Sequence, residues 1–128
     1  MKRLELKNGG TSGVFQHCGG TDVYLQLYFI NNDHHPCTTS TKGAFYGGDT
    51  LIWSNSEMGS CTNKLFDVGL RNLKFKLKTD VGGDAFCPTT LVITLYDDVG
   101  KIYRYKAYGM NDWVGKDLND HIRTATKL

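Results

Sequence analysis

Proline and glutamate are the scarce residues of this chain. Two prolines, Pro36 and Pro88, stand in 128 residues. Glutamate occurs only at Glu5 and Glu57, and neither lies beside a partner acid. Enzyme signatures are also missing: there is no Gly-x-Ser-x-Gly, no P-loop and no His-Glu-x-x-His, so no catalytic residues are expected. No run of about 18 apolar residues exists, which excludes a transmembrane helix. The start, "MKRLELKNGG", is charged and alternating, unlike a signal peptide, and reads as an expression start on a mature chain. A net charge of +2 is too small to point to nucleic acid, though it leaves room for a local basic patch. The four cysteines, Cys18, Cys37, Cys61 and Cys87, form no Cys-x-x-Cys, so a zinc knuckle or a thioredoxin motif is not expected.

What is present is β-sheet chemistry. Fifteen glycines punctuate short, aromatic-rich segments, as in all-β domains. The length fits a single domain over 1–128, able to bury a core without a metal or a disulfide. An even number of widely spaced cysteines suits two disulfides and an oxidising, secreted or lumenal location, with three pairings open. Four buried thiols are the plainer alternative.

Alternation places the strands. "RLELK" puts Leu4 and Leu6 on one face. In "TDVYLQLYFI", Val23, Leu25, Leu27 and Phe29 oppose Tyr24, Gln26 and Tyr28. "AFYGGDTLIWS" reads as a short strand, a turn and another strand, with Trp53 in the core. The clearest pattern is "NLKFKLK": Leu73, Phe75 and Leu77 inward, Lys74, Lys76 and Lys78 outward. "LVITLYDD" aligns Leu91, Ile93 and Leu95 before a turn, and "KIYRYKAYGM" is a further strand. The segments 31–43, 55–63 and 79–90 read as loops, and the tail from 111 reads as mostly polar, anchored by Trp113. The sum is seven or eight strands of an antiparallel β-sandwich or barrel.

These motifs, in this order, resemble the PLAT (lipoxygenase-homology) domain. Gly20-Thr21-Asp22 leads into "VYLQLY"; "FDVGLRNLKFKLKTD" follows; then "VGGDAF", "LVITL", and a charged strand closing on Trp113 and an acidic tail. The likeness spans roughly residues 2 to 123. It departs at 31–63, and Phe86 stands where the family often has a tryptophan after its glycine-rich loop. The resemblance implies an eight-stranded antiparallel sandwich that docks to membranes or proteins, often with calcium, and is not catalytic.

Site candidates follow. Calcium takes roughly six to eight oxygens. Asp22 supplies a carboxylate, Gly20 and Thr21 offer carbonyls, and Asp80 or Asp84 supplies the second acid. The alternative is a hydrogen-bonded turn at Thr21-Asp22. Asn31-Asn32-Asp33 is a second oxygen-rich stretch, and His34 and His35 beside Cys37 read as a solvated loop more readily than a metal site. Lys74, Lys76 and Lys78, with Arg104 and Lys106 two strands later, would form a cationic surface if the strands share a sheet. Such residues attract anionic head groups by about 1 kcal/mol each; a solvated face that discourages edge pairing is the plainer reading. Phe86 is the candidate loop aromatic for a lipid interface. The expected function is attachment to a membrane surface or a protein partner, with carbohydrate binding as the rival.

Overall fold

The computed structural model describes residues 2–9, 25–30, 37–43, 48–61, 71–79, 90–107 and 122–128. The strands are β1 (Arg3–Asn8), β2 (Leu25–Ile30), β3 (Cys37–Thr38), β4 (Thr50–Trp53), β5 (Asn72–Thr79), β6 (Leu91–Tyr96), β7 (Ile102–Ala107) and β8 (Arg123–Lys127). All described pairings are antiparallel, and the strands form one sheet in the order β3-β2-β5-β8-β7-β6-β1-β4. No α-helix occurs among the described residues; two 3₁₀ turns, Asn55–Glu57 and Gly59–Cys61, follow β4. The expected all-β antiparallel architecture of about eight strands is the observed one. The eight strands form one sheet that curls over its own apolar face.

That curl follows from the alternation. Four strands bury alternate apolar side chains: Leu4 and Leu6 on β1; Leu25, Leu27 and Phe29 on β2; Leu73, Phe75 and Leu77 on β5; Leu91, Ile93 and Leu95 on β6, where Thr94 is buried as well. A strand turns successive side chains to opposite faces, so one face is continuously apolar and must be covered. Trp53 is fully buried, as the sequence indicates, and Met58 and Cys61 from the 3₁₀ turns join the same core. Full burial of each large aliphatic or aromatic side chain is worth about 1.5–3 kcal/mol.

The two edge strands are tied to one short segment. Trp53, at the end of β4, donates its indole Nε1–H to the Ser40 carbonyl oxygen at 2.8 Å, just beyond β3. The Ser40 amide and hydroxyl both donate to the carbonyl of Glu57. Lys42 Nζ lies 2.7 Å from Glu57 Oε2. Cys37 on β3 is disulfide-bonded to Cys61, 24 residues on. This bond bears out the disulfide expectation and is incompatible with two of the three two-bridge pairings; Cys18 and Cys87 lie outside the described residues.

Two turns are set by particular residues. Asp97 Oδ1 accepts from the amides of Val99 at 3.0 Å and Lys101 at 2.8 Å, which closes the β6–β7 hairpin. Gly100 in that turn has φ 87°, a region glycine enters without steric cost. Gly59 also has positive φ, 56°, and a Cβ there would sit 2.3 Å from the Thr38 carbonyl oxygen. Close approach of the 3₁₀ turn to β3 therefore requires glycine.

The structure departs from the sequence expectation in three places. The tail holds β8, paired with β5 on one side and β7 on the other, so its end lies mid-sheet. The polar loop 31–43 contains β3 and continues along β2, with Thr39 and Lys42 bonded to Leu27 and Leu25. The segment after Trp53 is two 3₁₀ turns, and at the start of the first the Ser54 amide and hydroxyl donate to Glu57 Oε1 at 3.2 and 2.7 Å.

Candidate cationic docking face

The outer face of the sheet is built from the side chains that alternate away from the core. On β5 these are Lys74, Lys76 and Lys78, with Leu73, Phe75 and Leu77 buried between them. Antiparallel register sets Ile30 opposite Lys74, Tyr28 opposite Lys76 and Gln26 opposite Lys78. On the other side of β5 lies β8, which sets Thr124 opposite Lys74 and Thr126 opposite Asn72. Thr126 is in turn opposite Lys106 on β7, two residues from the exposed Arg104.

The lysines of β5 and the cations of β7 therefore share a sheet, separated by a single strand whose outward residues, Thr124 and Thr126, are uncharged. Among the described residues, the outward rows of β2, β5, β8 and β7 carry Lys74, Lys76, Lys78, Arg104 and Lys106, and no carboxylate. Alternate residues on a strand lie about 7 Å apart. That is within the Debye length of about 8 Å at physiological salt, so neighbouring lysines repel one another and an approaching anion relieves the repulsion.

Tyr28 organises the centre of this face. Its ring centroid lies 5.4 Å from Lys76 Nζ and 4.6 Å from Lys78 Nζ. A cation over an exposed aromatic face gains about 0.5–1 kcal/mol. The ring thus gathers two ammonium groups beside one apolar surface. Sequence reading placed Tyr28 outward but gave it no role. The usable signal was its alternation with Gln26, opposite a strand with three lysines among its outward positions.

Further along the sheet the charges are paired. Arg3 on β1 lies 2.6 Å from Glu5 and 5.3 Å from the Tyr96 ring centroid. Burial of the phenol, then the charge and hydrogen bond of Glu5, push Tyr96 above its ordinary pKa. The region on β1 and β6 thus mixes charges, and Arg104 on β7 borders it, its charge opposing the rise at Tyr96.

The other predicted site residues fall elsewhere. Gly20, Thr21, Asp22, Asp80 and Asp84, the calcium candidates, and Phe86, the loop aromatic, lie outside the described residues, as do Asp33, His34 and His35. Among the described residues no three His, Cys, Asp or Glu side chains come together to hold a metal ion. No helix among them is long and apolar enough to cross a membrane.

No protein-family model matches this chain, and no curated protein matches it. The functional reading therefore rests on the chain's own geometry.

Proposed function

We propose that the protein is a non-catalytic, secreted attachment module that docks on an anionic membrane surface through the outer face of β2, β5, β8 and β7. The observation that carries this reading is the run of five cations on those rows with no described carboxylate among them. Each lysine near an anionic leaflet contributes about 1 kcal/mol. Lys74, Lys76 and Lys78 together then supply about 3 kcal/mol, or roughly a hundredfold in affinity. Tyr28 adds an amphipathic ring of the kind that rests at the head-group level. The disulfide between Cys37 and Cys61 fits an oxidising compartment. Docking of this sort is also what the PLAT resemblance implies. Every contribution above comes from side chains on the sheet, so the mechanism requires no ion.

The test is co-sedimentation with vesicles of phosphatidylserine and phosphatidylcholine, against phosphatidylcholine alone. Binding is expected only with the anionic lipid, weakening steeply with salt and falling about a hundredfold in the Lys74→Gln/Lys76→Gln/Lys78→Gln variant. Equal binding to both vesicles, or no loss in that variant, would refute the reading. Added calcium and chelator form a further arm, which examines the Gly20–Asp22 and Asp80–Asp84 loops. Protein capture without lipid binding would favour a protein partner.

A further inference from the structure

The cations of the outer face are not scattered; the register sets them in a single file. Lys78, Lys76 and Lys74 follow one another along β5. Lys74 is opposite Thr124, and Thr126, the next outward residue of β8, is opposite Lys106 on β7. Arg104 continues in the same direction, since the Leu128 amide donates to its carbonyl oxygen. The file thus runs Lys78, Lys76, Lys74, Lys106, Arg104 and crosses β8 once. Neighbours on one strand lie about 7 Å apart and the step across β8 is about 12 Å, so the file is roughly 30 Å long. Lys74 and Arg104 are exposed, as are Thr124 and Thr126 at the crossing. Glu5, across Thr94 from Arg104, is already bonded to Arg3.

Shape and surroundings select the class of ligand. The sheet curls over its core, so the outer face is convex. A flat surface touches a convex one over part of its width, whereas a chain-like anion can bend along the whole file. Each cation that such a chain meets releases counterions, so the contributions accumulate along its length. The rings of this face are not open for stacking. Tyr28 carries the Lys76 and Lys78 ammonium groups at 5.4 and 4.6 Å, and Tyr96 carries the Arg3 guanidinium at 5.3 Å. Binding of single-stranded nucleic acid draws on stacked bases, and a net charge of +2 is small for a duplex. A polymer of hydroxylated rings with anionic groups along it needs no stacking platform. The Thr124 and Thr126 hydroxyls at the crossing can donate to such a chain and accept from it. The Cys37–Cys61 disulfide fits an oxidising, extracellular setting, where such polymers are found.

We infer that the outer face binds a linear sulfated polysaccharide laid along the file from Lys78 to Arg104. This inference shares its cations with the docking reading but needs no lipid, and it makes the polysaccharide and an anionic membrane competitors for one face.

The experiment is fluorescence polarisation of end-labelled heparin oligosaccharides of graded length, with hyaluronan, dextran and single-stranded DNA as competitors. Saturable binding to heparin is expected, its affinity rising with chain length until the chain spans the file and levelling thereafter. Hyaluronan, which is unsulfated, should compete weakly, and neutral dextran not at all. Lys74→Gln/Arg104→Gln removes one cation on each side of β8. It should weaken binding at least tenfold and flatten the slope against log salt by about 1–1.5 units. Lys2→Gln/Lys101→Gln removes the same charge away from the file and should stay within about twofold of the parent. All four positions are exposed, so neither variant disturbs the core. Absence of saturable heparin binding, equal losses in the two variants, hyaluronan competing as strongly as heparin, or tighter binding of DNA would overturn the inference. Heparin binding without vesicle binding would count against the docking reading alone, and vesicle binding without heparin binding against this inference alone.

Discussion

At the scale of single residues, two positions in the 54–61 segment carry measurable consequences. Glu57 is lowered from 4.5 to about 2, first by its hydrogen bond to Lys42 and then by those from Ser54. A depressed carboxyl contributes stability that is complete above its unfolded value and is lost as the pH falls through its folded value. The melting temperature of Glu57→Gln should therefore lie below that of the parent at pH 6. The gap should narrow from about pH 4.5 downward and vanish near pH 2, which a thermal melt series reads directly. Gly59 has φ 56°, and a Cβ there would collide with the Thr38 carbonyl. Gly59→Ala should cost about 1–3 kcal/mol in urea unfolding. Gly48→Ala, with φ 86° and open space around it, should show only the backbone cost of about 1–2 kcal/mol.

At the scale of elements, the strands that alternate strongly were legible in the sequence and those that do not were not. β5 announces itself because its lysines and apolar residues interleave without exception. β8, "RTATK", offers one small apolar residue, Ala125, and buries Arg123, so its pattern is invisible until its neighbours are known. β3 is two residues long and is held by register with β2 and by a disulfide, neither of which alternation can report. The cationic face was readable strand by strand; that β8 intervenes was not. The central place of β8 has its own test. Ala125 is fully buried opposite Leu73, so Ala125→Leu should overpack the core by about 1–3 kcal/mol. Thr126→Leu, on the outer face, should change stability by no more than about 0.5 kcal/mol. A negligible effect of Ala125→Leu would contradict a mid-sheet β8. Similarly, Cys37→Ala/Cys61→Ala opens a loop closed over 24 residues, with an expected loss of about 3 kcal/mol in the urea midpoint analysis.

At the scale of the whole molecule, the outer surface divides by charge. The rows on β5 and β7 hold cations without a described acid, while β1 pairs Arg3 with Glu5. Docking through the first region should be strongly salt-dependent, since exposed charges are screened beyond about 8 Å at physiological ionic strength. Raising salt from about 50 to 500 mM should release the protein from anionic vesicles, and the slope against log salt should flatten in the β5 lysine variant.

The position of β8 also has a bearing on time. In the order β3-β2-β5-β8-β7-β6-β1-β4, it is the strand that joins one half of the sheet to the other, and of the eight it is the last to be synthesised. Until residues 123–127 leave the ribosome, β5 and β7 each lack a neighbour, and exposed strand edges invite pairing with other chains. The sheet is completed only after β8, the last of its eight strands in chain order, has been made. The chain's yield in a cell then depends on keeping those two edges apart from other nascent copies for the duration of translation.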